Sequence, residues 1–406
     1  MYNNRNIYET LNKKYRYVCL KGNNDDLFSH HEKRKQLFIE ALDNDDYTLL
    51  NDMIEQDNNC HETCLTCRAV KKIVDKRKIS MDGCCGNVEN KKQELICKRG
   101  ALKGKKIVIF TDPSLVHKKI SLRNNNTLLY CDSFTCSVLC SWIIERIMKD
   151  NLLPHYSENY CSYICRNRGR IVLEKTESLS DIIESNNILN DETRIRNIIT
   201  QLFVIISIMA DYDFYLAGTS IRFKTIPCSY IFDTDIRVES EITVVLEDYK
   251  DGSSVTWNNK RILPHSPPLT LGHVPRNKEL FILSDTQQQS QHHPYLINEM
   301  MKQNKSTFDV KMKRDINLTR ALQNLFSDQL NSFKKISSSC CPLLNTILLN
   351  LKKGIILTEW DDILIKTKQE NIIQDNIYDV SVDIDKSKSN TESSSDEDDE
   401  DSDDDE

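Results

Sequence analysis

Between residues 101 and 375, short runs of β-branched residues alternate with longer stretches whose apolar positions recur every three or four residues. A period of two lays one face of a strand on a core, and a period near 3.6 does the same for a helix. The strand-like runs are Lys106–Phe110, Val116–Leu122, Arg170–Glu174 and Ile242–Leu246. The helix-like runs are Ser137–Asn151, Arg194–Ala210 and Leu318–Phe333. The pattern predicts an α+β fold. Upstream, residues 1–100 are polar and Cys-rich, with one helical stretch over Glu32–Ile54. Residues 263–304 are rich in Pro, Gln and His and read as a loop insertion. From 381 to 406 the chain has too little apolar surface to bury and is expected to be a disordered tail. The domain reading is therefore 1–100, 101–380 and 381–406.

Charge changes this picture at one end. The 406 residues hold 54 Lys+Arg and 61 Asp+Glu, a net charge of −7, but residues 391–406 carry 11 acidic and no basic side chains. Without them 54 basic side chains face 50 acidic ones, so the body is mildly basic, at +4. Ser395 and Ser402 each precede three acidic residues, as targets of an acidophilic kinase do. The first 20 residues show no apolar signal-like run, and Leu202–Ala210 is too short to span a bilayer. Fifteen cysteines, an odd number, then read as reduced thiols in an intracellular protein with no membrane contact.

Chemistry enters through the order of the elements. Val116-His117-Lys118-Lys119 resembles the strand of protein kinases whose Lys neutralises ATP phosphates, and Glu145 in SWIIERIMKDN resembles that lysine's helical partner. Pro154-His155-Tyr156 follows as the turn after that helix does. RIVLE, ending at Glu174, resembles the hinge strand, and SLSDIIES the short helix beyond it. ITVVL-Glu247-Asp248-Tyr249-Lys250 resembles the strand and D-F-G, with Asp248 retained. The likeness spans about 260 residues, and the closing GIILTEWDDIL is similar to the ends of kinase-like proteins of large DNA viruses. It implies a bilobal kinase-like fold, preceded by an extra N-terminal region, with ATP and Mg as ligands held by Lys119, Glu145, Glu174 and Asp248.

The catalytic loop departs from the pattern. DFYLAGTSIRF (213–223) puts Asp213 at the loop's His, Tyr215 at the catalytic Asp and Ser220 at the metal-binding Asn. A phenol titrating near pH 10 cannot orient and deprotonate a hydroxyl at neutral pH as a carboxylate does. No glycine-rich loop precedes Lys119, since Gly104 is the sole Gly in 101–130. The resemblance thus implies a pseudokinase acting through a protein partner. An active kinase would need a replacement base such as Asp233 or Asp235.

Two other features compete. Cys60, Cys64, Cys67, Cys84 and Cys97, beside Cys85 and His61, offer thiols for a structural zinc site, although only Cys64 and Cys67 have the C-x-x-C spacing. Cys161 and Cys165, one helical turn apart and without matching partners, read as core thiols. Residues 68–123 hold 16 Lys/Arg against 5 Asp/Glu, enough to neutralise nucleic-acid phosphates or to attract the acidic tail. The alternative class is a zinc-stabilised basic nucleic-acid-binding or virion protein.

Overall fold

The computed structural model describes residues 27–58, 92–99, 102–115, 121–123, 128–165, 168–186, 191–214, 220–247, 255–264, 310–327, 341–353 and 355–366, with a few isolated positions. Packing divides the chain after Thr367, and every described residue belongs to Met1–Thr367. The α+β expectation holds. The 381–406 tail, most of the 263–304 insertion, and Cys60, Cys64, Cys67 and Cys84 lie outside the described residues.

Two helices come first, α1 (Leu27–Asp43) and α2 (Tyr47–Asn58). The single helix expected over Glu32–Ile54 is broken at Asp45, whose φ of 59° is left-handed. Strands β1 (Lys92–Ile96), β2 (Lys106–Leu115), β5 (Asn159–Cys165) and β6 (Arg168–Glu174) form an antiparallel sheet in the order β1-β2-β6-β5. Gly104, at φ 86°, closes the β1–β2 turn in a conformation costly to other residues. Alternation along β6 serves two cores: Ile171 and Leu173 face the main one, Val172 a smaller one with Cys97, Ile107, Cys161 and Tyr163.

Because β1 pairs with β2 from Lys92↔Phe110 to Ile96↔Lys106, the described packing does not divide at residue 100. Nor does α1 stand apart. Its Leu37, Phe38, Ala41 and Leu42 enter the main core, with Phe38 edge-on to Trp142 at 5.3 Å. Cys161 and Cys165 lie on strand β5, not on a helix.

A second sheet has the order β11-β12-β4-β3, from β3 (Ser121–Arg123), β4 (Leu128–Cys131), β11 (Val255–Trp257) and β12 (Lys260–Pro264). The strand expected over Val116–Leu122 is therefore described only from Ser121, and it pairs with β4 rather than with β2's sheet. Asn258 and Asn259, both at positive φ, make the two-residue turn that joins β11 to β12 with the strands' own twist. Trp257 Nε1 and Asn258 Nδ2 donate to Asp43 Oδ1 at 2.5 and 2.8 Å, fastening this hairpin to α1.

Helix α3 (Ser133–Asp150) begins where Asp132 accepts from the Thr135 N–H at 2.9 Å. Cys131, Cys136 and Cys140 are all buried; burial raises the first thiol's pKa, and thiol–thiol hydrogen bonds lead the rise in the others, so they stay protonated. After α4 (Leu179–Asn186), helix α5 (Glu192–Ala210) is apolar on nearly every side. It is long and apolar enough to cross a membrane by length and composition, but 78% of that stretch is buried within the fold.

Strands β7 (Ser220–Lys224) and β10 (Thr243–Glu247) pair antiparallel, with a hairpin of β8 (Cys228–Phe232) and β9 (Ile236–Ser240) between them. Helix α6 spans Val310–Leu325, eight residues earlier than the Leu318 start expected, and α7 spans Pro342–Lys352.

Candidate functional site

Glu145 is 3% exposed, on α3. Its Oε1 accepts from Lys35 Nζ of α1 at 2.8 Å and from Lys149 Nζ, one turn on, at 2.7 Å. Lys35 also reaches Glu32 at 2.6 Å, so two carboxylates and two ammonium groups cancel. Glu145 Oε2 is buried with no hydrogen-bond partner among the described residues. Burial is the largest influence on Lys149 and opposes its charge, but the bond to Glu145 together with the charges of Glu145, Tyr156 and Glu32 holds its pKa above the ordinary value.

Tyr156 connects this cluster to Glu174. Lys149 and Lys224 each stand 5.2 Å from the Tyr156 ring centroid, and Lys224 pairs with Glu174 at 2.6 Å. Burial, with the Lys149 charge opposing, raises the pKa of the Tyr156 phenol. The Tyr156 backbone forms a parallel bridge with Leu246, next to Glu247 at the end of β10. Glu145 and Glu174, two of the four residues expected to hold ATP and Mg, therefore meet around one ring. Lys119, Asp248 and Tyr215 lie outside the described residues, and Ser220 opens β7.

β6, expected from sequence as the hinge strand, lies between β2 and β5, with Ile107 of β2 opposite Glu174. Residues 107–115 (IVIFTDPSL) contain no Lys. The end of β6 and the residues after it use their own backbone groups within the fold. Glu174 and Lys175 N–H donate to Glu158 and Lys106 carbonyls, and Glu177 exchanges both bonds with Phe223. Arg222 Nη2 donates to the Thr176 carbonyl at 3.1 Å, and Thr176 Oγ1 donates to Glu247.

His155, fully buried, accounts for the turn after α3. Its Nδ1 lies 2.8 Å from the Val244 carbonyl and its Nε2 meets the Tyr230 hydroxyl. Burial lowers its pKa to about 4, so the ring is neutral. At the loop after α5, Asp213 pairs with Lys313, and the Phe214 carbonyl accepts from Asn317 Nδ2 at 2.8 Å. Asp213 is thus a charged anchor to α6.

Elsewhere, burial pushes the Cys97 thiol up to about 11 within the smaller core, unlike a zinc-ready thiolate. Among the described residues no group of three His, Cys, Asp or Glu is placed to hold a metal ion. In the basic 68–123 segment, Lys98, Arg99, Lys103, Lys105 and Lys106 are exposed around the β1–β2 turn.

Sequence reasoning missed Lys35, Lys149, Tyr156 and Lys224. Lys149 was legible, four residues after Glu145 on one helix face. Lys35, 110 residues upstream, left no local signal. Comparison of the chain with family models, curated proteins and solved structures finds no match.

Proposed function

We propose that this chain is a protein-kinase-like protein that acts by binding a protein partner and transfers no phosphoryl group. The observation that carries the reading is the Glu145 carboxylate, already neutralised by Lys35 and Lys149. A kinase needs the corresponding glutamate to hold a strand lysine on the ATP phosphates. In the neutral group Glu32–Lys35–Glu145–Lys149, a further lysine would add an uncompensated charge in a buried place. Tyr215 and Ser220 in place of Asp and Asn support the same reading, because neither orients the hydroxyl or holds Mg as those residues do. Affinity for ATP with Mg is accordingly expected to be weak. An arrangement that keeps its helix and sheet in one fixed relation, without catalysis, suits a scaffold for another protein.

The test is transfer of labelled phosphate from ATP–Mg to the chain itself and to a mixed Ser/Thr peptide library. Incorporation at background is expected. Incorporation well above background that disappears in Asp248→Ala would overturn the proposal.

A further inference from the structure

The turn between β1 and β2 gathers charge of one sign. Lys98, Arg99, Lys103, Lys105 and Lys106 fall within nine residues and are all exposed, and residues 95–110 contain no Asp or Glu. The nearest acidic residue upstream, Glu94, is already paired with Lys175 at 2.7 Å. Several exposed cations elsewhere have an acid beside them: Arg146 pairs with Asp150, Arg237 with Glu239 and Lys366 with Asp361. At the turn, Arg99, Lys103, Lys105 and Lys106 form no ion pair among the described residues. Concentrated like charge without local anions is a field that an external anion can neutralise.

The backbone holds these cations in place. Cys97 N–H donates to the Lys105 carbonyl at 2.9 Å, Gly104 N–H to the Cys97 carbonyl at 2.7 Å, and Lys105 N–H to the Leu102 carbonyl at 2.9 Å. Lys98 N–H donates to the Ile73 carbonyl at 2.7 Å, and the Leu102 side chain is buried in the smaller core. A partner therefore meets ordered positions and need not freeze a loop. The charge also lies on both faces of the ribbon. Lys105 is on the face of the smaller core, with its ammonium 5.8 Å from the Tyr160 ring centroid. Lys106, the next residue, turns to the other face opposite Ile96, which is 42% exposed. Between them the tip is open, since a methyl group built on Gly104 would meet nothing within 4 Å.

This arrangement selects among polyanions. A flat anionic surface neutralises cations on one face, whereas the major groove of duplex DNA has a row of phosphates on each side. That groove is about 12 Å wide and admits a two-stranded ribbon, whose strands lie roughly 4.8 Å apart. Residues 95–109 contain no Phe, Tyr or Trp, so the tip has no ring on which the bases of a single strand could stack. We propose that the β1–β2 turn is a duplex-DNA contact, with Arg99, Lys103, Lys105 and Lys106 on the backbone phosphates and no reading of base sequence. None of these residues belongs to the Tyr156 cluster, so the proposal stands or falls apart from the kinase-like one.

The experiment uses the full chain and fluorescence anisotropy of a short labelled DNA duplex between about 50 and 200 mM salt. Saturable binding is expected, with log K falling linearly against log salt at a slope of roughly −3 to −5. Lys103→Gln with Lys105→Gln and Lys106→Gln should reduce that slope by about 2 to 3 and weaken binding at least tenfold at the lowest salt. All three side chains are exposed, so the melting temperature should hold. A second variant, Arg99→Gln with Lys103→Gln, touches neither strand and should reduce the slope by about 2. Lys33→Gln with Lys311→Gln and Lys353→Gln removes as much charge from exposed positions off the turn, and should leave affinity within about threefold. An equal loss in that control would reduce the effect to net charge and overturn the proposal. Absence of saturable binding, slopes unchanged in both turn variants, or a single strand of the same length bound as tightly as the duplex would do so too.

Discussion

The Tyr156 cluster and the concave surface lined by the end of α5, the β8–β9 turn, the start of α6 and residues 358–366 treat their charges in opposite ways. Around Tyr156 every described cation has its anion inside the fold: Lys35 and Lys149 on Glu145, Lys224 on Glu174. On the concave surface the side chains of Asp211 and Asp233 are exposed, with neither hydrogen bond nor ion pair among the described residues. The cluster is where the order of elements raised the kinase-like expectation; the other surface holds Asp233 and Asp235, which the sequence offered only as replacement bases. A buried cluster whose charges cancel within the fold serves as architecture, whereas an exposed carboxylate keeps its hydration and contributes little to stability.

The largest test breaks the closed side. Lys35→Met should cost about 3 to 4 kcal/mol in urea unfolding, because it withdraws one cation from a buried carboxylate that retains only Lys149. Adding Glu145→Gln should restore much of that loss. The exposed Asp211→Asn should change stability by less than about 0.5 kcal/mol. Similar costs for both would erase the contrast.

Acid should come next. His155 has its pKa lowered to about 4 by burial, and His31 is lowered for the same reason, aided by Arg34. Between pH 6.5 and 4 the unfolded chain takes up protons at His155 that the folded chain does not. Its contribution is thus complete above pH 6.5 and lost as pH falls toward 4, amounting to about 2 to 3 kcal/mol. In His155→Leu the corresponding part of the pH dependence should vanish, and an unaltered profile would remove His155 from the account.

Tight packing of the sheet is the third point. A methyl group at Gly169 would overlap the Phe134 ring, so Gly169→Ala should cost about 1 to 3 kcal/mol, read from the shift in urea midpoint. A neutral result would mean that β6 and α3 have room between them. The smallest effect concerns the β1–β2 turn. If its cations meet polyanions, Lys103→Gln should lower the slope of log K for heparin against log salt by roughly one. An unchanged slope would take Lys103 out of any such surface.

Period and propensity made α3, α5, β6 and β10 legible to within a few residues, because each is buried along a regular face. The hairpin β8–β9 was also there to be read in part: IRVES alternates apolar and polar residues after an Asp-Thr-Asp turn, whereas CSYIF alternates only in burial, with Ile231 exposed. Asn258-Asn259 marked the β11–β12 turn with equal clarity. The site was less legible. Glu145 stood out by its place in a helix, but its partner Lys35 comes from a helix that only tertiary packing brings near. The sequence order favoured Lys119 because spacing along the chain was the sole guide, whereas the register of β2 against β6 depends on hydrogen bonds.

Nucleotide binding tests the central claim most directly. The melting temperature of the full chain is measured across ATP–Mg concentrations to several millimolar. A ligand present at 100 times its Kd would stabilise the fold by about 2.7 kcal/mol, a shift of several degrees. With Glu145 neutralised by Lys35 and Lys149, the curve should stay within about one degree of the nucleotide-free value. A Mg-dependent rise that grows with ATP and is lost in Asp248→Ala would contradict the account.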